Sequence, residues 1–111
     1  MRQEEHNIQV AIVQYLRLRG FEVFAIPNGG RRDAVTGAKL KAEGVSAGVA
    51  DMIILFPLGN VLFVEVKTAK GRQSPEQKAF QERVESLGFN YVIWRSVEDA
   101  EKFLNSTLSL P

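Results

Sequence analysis

The sequence contains no cysteine. That excludes disulfides, thiolate zinc centres and cysteine nucleophiles, and it fits a reducing compartment. There is one histidine, His6, expected to be exposed and carrying no functional signal by itself. Long apolar runs are missing too: none approaches the roughly 20 residues that span a bilayer. The opening Met1-Arg2-Gln3-Glu4-Glu5-His6 is polar and lacks the core of a signal peptide. A soluble cytoplasmic protein with no membrane partner is therefore expected. An excess of charge of one sign is also missing: 14 basic and 13 acidic residues leave a net charge of only +1, which does not announce a nucleic-acid binder.

What is present is enough for one packed domain. The chain has 111 residues, of which 45% are hydrophobic, and no repeat or linker divides it. A single domain over 1–111 is expected, with a loose tail at 106–111. The basic residues are unevenly spread. Arg31, Arg32, Lys39 and Lys41 lie in a glycine-rich middle, and Lys67, Lys70 and Arg72 cluster further on, while acids concentrate in the first turn and the last two helices. A one-sided basic face attracts phosphate even when the total is neutral. Solvated loop charges are the plain alternative.

Periodicity organises the chain. Residues 4–19 place Ile8, Ala11, Ile12, Tyr15 and Leu16 on one helical stripe that Gly20 stops. Glu4 and Glu5 flank this stripe at about 50° on either side, so helical spacing leaves both open as acids leaning over the core or as partners of the helix dipole. Residues 21–26 are β-prone and end at Pro27, before the turn Pro27-Asn28-Gly29-Gly30. The stretch 31–47 is long and rich in glycine and arginine, which marks a functional loop; a short helix around 34–43 is weakened by Gly37. Residues 51–56 and 61–67 form a hairpin across Pro57-Leu58-Gly59-Asn60. Ser74-Pro75-Glu76-Gln77 opens a helix with an N-cap serine, proline in the first turn and glutamine at the capping-box position. Phe80, Val84 and Leu87 form its apolar face, and Gly88 ends it. A strand at 90–94 and a helix from Ser96 to about Asn105 complete the order α-β-β-β-α-β-α. The fold class is α/β, a mixed four-stranded sheet flanked by helices, antiparallel at the hairpin and with a right-handed helical crossover between its last two strands.

The chemistry lies in Asn60-Val61-Leu62-Phe63-Val64-Glu65-Val66-Lys67. Strand alternation puts Phe63, Glu65 and Lys67 on one face and Val64 and Val66 on the other. Charges in a buried strand are rare unless paired or ligating a metal. Asp51 opens the preceding strand, so Asp51 and Glu65 can converge on one cation. The Val66 carbonyl is a third candidate ligand. Lys67 is placed to hold or deprotonate an attacking water and to stabilise developing negative charge. This is the layout of a metal-dependent phosphodiesterase site. The competing reading is a strand-end ion pair of Lys67 with Glu65 or Asp51.

Taken together, Glu5-His6-Asn7-Ile8-Gln9, Pro27-Asn28-Gly29-Gly30, Leu40-Lys41-Ala42-Glu43-Gly44-Val45, Gly48-Val49-Ala50-Asp51, Glu65-Val66-Lys67 and Ser74-Pro75-Glu76-Gln77 give the chain a wider likeness. It resembles the PD-(D/E)xK nuclease superfamily, and within it a small stand-alone VRR-NUC (virus-type replication–repair nuclease) domain. The resemblance implies a restriction-endonuclease-like core, Mg2+ or Mn2+ as cofactor and DNA as substrate. It makes Asp51 and Glu65 the metal ligands, Lys67 the catalytic lysine, and Glu5, rather than Glu4, a further active-site acid. Gln77 would border the site. Ala50 stands where the family often has proline, with no ligand lost. The resemblance further implies a phage or prophage origin, a bacterial host cell, and a homodimer acting on branched DNA such as Holliday junctions. Arg31, Arg32, Lys39, Lys41, Lys70 and Arg72 would then hold phosphates. Tyr91, Trp94 and Phe103 are candidates for a dimer interface, with core packing the competing role. The alternative function is a catalytically inactive nuclease-fold module that binds DNA or a replication or repair protein.

Overall fold

A computed structural model describes residues 2–27 and 34–108. The elements run α1 (Arg2–Leu18), β1 (Glu22–Ala25), α2 (Ala34–Ala42), β2 (Met52–Phe56), β3 (Asn60–Val66), α3 (Pro75–Ser86), β4 (Asn90–Trp94) and α4 (Val97–Leu108), with one 3-10 turn at Pro57–Gly59. The sheet order is β1-β2-β3-β4. The first three strands are antiparallel, and β4 joins β3 in parallel after the α3 crossover. The mixed sheet and restriction-endonuclease-like architecture expected from the sequence are therefore present.

Strand alternation sorts the core into two layers. Leu62, Val64 and Val66 face α1 and α4, where they pack with Ile12, Leu16, Ala100, Leu104, Met52, Ile54 and Trp94. Phe63 faces the other way, into a layer formed by Ala50, Phe80, Val84 and Tyr91 under α3. Tyr91 and Trp94 are buried, and Phe103 packs edge-to-face on Trp94 at 5.9 Å. Tyr91 and Trp94 belong to the core, and Phe103 packs against it while half-buried.

Two elements differ from the sequence reading. Residues 34–42 do form a helix, so the order gains α2 between β1 and β2. None of its side chains is buried. Its alanines, lysines and leucine favour helix, which offsets the roughly 1 kcal/mol that Gly37 costs. The helix closes where the N–H of Gly44 and the N–H of Val45 donate to the carbonyls of Lys41 (3.0 Å) and Leu40 (2.9 Å). At the other end of the chain, α4 continues to Leu108, past the expected stop near Asn105. Residues 28–33, with the turn at Asn28-Gly29-Gly30 and the cations Arg31 and Arg32, lie outside the described residues.

Candidate active site

The antiparallel register pairs Met52 with Val64. One step further, it sets Asp51 opposite Glu65, where cross-strand Cβ atoms are about 4.5–5.5 Å apart. Asp51 is held there because its Oδ2 accepts the main-chain N–H of Val66 at 2.7 Å. Glu65 is 1% exposed and Lys67 8%. The Lys67 ammonium stands 4.0 Å from Glu65 Oε2, the one ion pair among the described residues. The same oxygen accepts the side-chain N–H of Gln77 at 2.9 Å.

Gln77 reaches that oxygen because α3 begins at a fixed point. Ser74 Oγ accepts the Gln77 main-chain N–H at 3.1 Å, and Gln77 Oε1 accepts the Ser74 main-chain N–H at 2.8 Å. The capping box thus orients one glutamine to cap its helix with one end of its amide and hold Glu65 with the other.

Glu65 Oε1 is buried and has no hydrogen-bond partner. Such an atom is costly in a dry interior unless a proton or cation satisfies it. Burial first, then the neighbouring Asp51 carboxylate, push the Glu65 carboxyl up to about 9; Lys67 pulls it partly back, and Glu5 adds a small rise. The raised value favours the protonated carboxyl at neutral pH. Two hard carboxylates facing each other, one with an unsatisfied oxygen, fit a divalent metal. Among the described residues, no three His, Asp or Glu side chains gather as a ligand set. Asp51, Glu65 and a main-chain carbonyl such as that of Val66 are then the donors on offer.

Glu5 is half-buried near the start of α1, while Glu4 is exposed. It is Glu5 whose charge reaches Glu65. The tertiary structure thus separates two acids that helical spacing leaves equivalent. Lys39, Lys41, Lys70 and Arg72 lie at the surface, the first two on α2 and the others on the loop after β3.

Three further residues shape the site, and the sequence singles out none of them for it. Tyr91 receives a hydrogen bond from Gln73 Nε2 at 3.1 Å. Burial, followed by the charge of Glu65, raises its phenol to about 12, so it remains a proton donor beside the carboxylates. Arg95 closes the loop behind Lys67: its Nη1 donates to the carbonyls of Thr68 (2.6 Å) and Gly71 (2.8 Å). Gly48 lies against the first turn of α3 with φ +87°, and a Cβ there would come within 2.3 Å of the Glu76 carbonyl oxygen. The glycine is visible as part of Gly48-Val49-Ala50-Asp51. Nothing local to Arg95 or Tyr91 signals their long-range partners.

Asp51, just before β2, and Glu65-Val66-Lys67, at the end of β3, thus meet at one end of a mixed sheet of nuclease-fold architecture. The VRR-NUC domain model matches residues 3–98, and the chain belongs to that family. One solved structure, described as a VRR_NUC domain protein, is similar with a TM-score of 0.75 at 20% identity, covering 96% of this chain and 88% of that one. Another, a VRR_NUC domain, has a TM-score of 0.66 at 22% identity and covers 92% and 95%. No curated protein matches the chain. Nuclease folds of this kind typically use divalent metals. No helix among the described residues is long and apolar enough to cross a membrane.

Proposed function

We propose that this chain is a metal-dependent, structure-selective DNA endonuclease, acting as a homodimer on branched DNA such as a Holliday junction, with Mg2+ or Mn2+ as cofactor. The observation that carries the reading is the buried, unpartnered Oε1 of Glu65, in a carboxyl group set opposite Asp51 and beside the Lys67 ammonium. Asp51, Glu65 and the Val66 carbonyl would hold the cation. When bound, it supplies activation of water and neutralisation of phosphate charge.

The other roles fall to the chain itself. Lys67 orients the attacking water and stabilises negative charge as it grows on the phosphate. Gln77 fixes the Glu65 carboxyl so that its free oxygen keeps one direction. Glu5 adds negative charge at the rim. Lys39, Lys41, Lys70 and Arg72, with Arg31 and Arg32, grip the backbone and do not read bases. Selectivity would then come from DNA shape and from two-fold symmetry, which offers two equivalent sites to a junction cut on two strands. A phage or prophage enzyme working in the bacterial cytoplasm completes the reading.

The test is a cleavage assay on labelled four-way junction, fork, single strand and linear duplex, with Mg2+, Mn2+ or EDTA, beside Lys67→Ala. Metal-dependent cutting that the variant loses is the expected result, with paired symmetric nicks in the junction. Binding of the junction without cleavage would replace this reading with a non-catalytic module.

A further inference from the structure

A sizeable groove lies beside the candidate active-site carboxylates and not among them. A small pocket of about 290 Å³ runs from Asp51 past Gly48 and Gln77 to Ala47 and Glu76. Ala47 and Glu76 also line a groove of about 760 Å³ between α2 and α3, which continues to Ala79, Lys41 and Arg83. The two adjoin at Ala47 and Glu76, so the groove neighbours the candidate active site. Glu76, Ala79 and Arg83 recur at helical spacing, so one stripe of α3 forms a wall. Lys41 stands on the α2 side. Among the described residues, neither Lys41 nor Arg83 has a carboxylate within ion-pair distance. Glu76, the acid on the α3 wall, lies where the two cavities meet.

We infer that this groove carries a single strand of nucleic acid flanking the cut phosphate, with Lys41 and Arg83 gripping its phosphates from opposite walls. The inference rests on the nuclease reading above and adds the path and the form of the substrate. The volume is that of a small-ligand pocket, in a range of roughly 300–1,000 Å³. A groove of about 760 Å³ takes one sugar–phosphate strand along its length. Small and main-chain surfaces at Gly37, Gly44 and Ala47 let a strand approach closely. From Gln77 to Arg83 the helix advances about 9 Å. Arg83 therefore stands a short way along the helix from the residues that border the site. Two exposed cations on one groove, neither in an ion pair among the described residues, match a polyanion laid along it, with Glu76 the acid at the end nearer Asp51. Branched DNA exposes single-stranded character where its arms part, which links the groove to the proposed substrate.

The experiment is binding of a short fluorescein-labelled single-stranded oligonucleotide in EDTA, followed by anisotropy against salt. Wild type is compared with Arg83→Gln, Lys41→Gln, Arg83→Lys and Lys102→Gln, the last an exposed cation of α4. Each of the two groove neutralisations is expected to weaken binding several-fold and to lower the slope of log K against log salt by about 0.7. Arg83→Lys and Lys102→Gln should keep the wild-type slope. On cleaved substrate, the groove variants should raise KM and leave kcat unchanged. Wild-type affinity and slope in both groove variants, in a protein that does cut DNA, would overturn the groove and leave the nuclease standing. Failure of wild-type protein to cut any substrate would overturn the nuclease reading and the groove with it.

Discussion

Glu65 sets the behaviour of the molecule at the scale of a single residue. Its carboxyl titrates at about 9 in the folded chain, against an ordinary value of 4.5 for a free glutamate. The folded state therefore binds more protons than the unfolded state between these values, and stability must fall as pH rises across that window. Without metal, the thermal midpoint should decline from about pH 5 to about pH 9, as followed by differential scanning fluorimetry in EDTA. Glu65→Gln, which cannot ionise, should flatten that decline; an unchanged slope in the variant would place the proton elsewhere. A metal must displace the same proton, so stabilisation by Mg2+ should grow with pH over this range. Lys67 sits close enough to soften the penalty but, at 4.0 Å, does not cancel it.

At the scale of elements, short joints decide whether these residues meet. Gly48 brings the segment before β2 against the first turn of α3, the turn that carries Gln77. Gly48→Ala would place a methyl group on the Glu76 carbonyl and require an L residue at positive φ. It should destabilise the fold by more than about 1 kcal/mol, of order 1–3 for the backbone alone, and depress cleavage further by separating Asp51 from Gln77. Urea denaturation and the cleavage assay on one preparation measure both. The hairpin tip gives the opposite case. Leu58 is 98% exposed and has φ 66°, a conformation that costs an L residue about 1–2 kcal/mol. Leu58→Asn should raise the unfolding midpoint with cleavage unchanged, since asparagine tolerates this region and the exposed leucine gives up no burial. A lower midpoint would show that the leucine has a contact in solution.

For the whole molecule, the two core layers carry different consequences. Leu104 is fully buried between α4 and the sheet, and Phe80 lies under α3 on the layer that supports the site. Leu104→Ala should cost about 2–5 kcal/mol and Phe80→Ala about 3–5. Compared at a temperature where both remain folded, only Phe80→Ala should reduce cleavage strongly, because α3 carries Gln77 and one wall of the groove. Equal losses would mean that the layers are mechanically coupled through the sheet. Charge follows the same division. A net charge of +1 conceals cations on α2 and α3 that line a groove beside the carboxylates.

Much of this is written locally. Alternation along 60–67 puts Glu65 and Lys67 on one face, and the hairpin length places Asp51 across from Glu65. The Ser74–Gln77 spacing announces a capping box whose two hydrogen bonds are both present. These features depend on periods of two or 3.6 residues and on contacts a few positions apart, which a sequence displays directly. The nearness of Glu5 rather than Glu4 to Glu65, the hydrogen bond from Gln73 to Tyr91 and the clamp of Arg95 on Thr68 do not. That clamp joins residues 27 apart in the chain. Helical spacing gives Glu4 and Glu5 the same offset from the apolar stripe, and only the packing of α1 against the sheet breaks the tie. Residue types and their periods are enough to nominate the side chains for the chemistry and the face they share. Which of them meet, how deeply they are buried and what groove lies beside them are matters of packing, because burial and cross-element distance have no period along the chain.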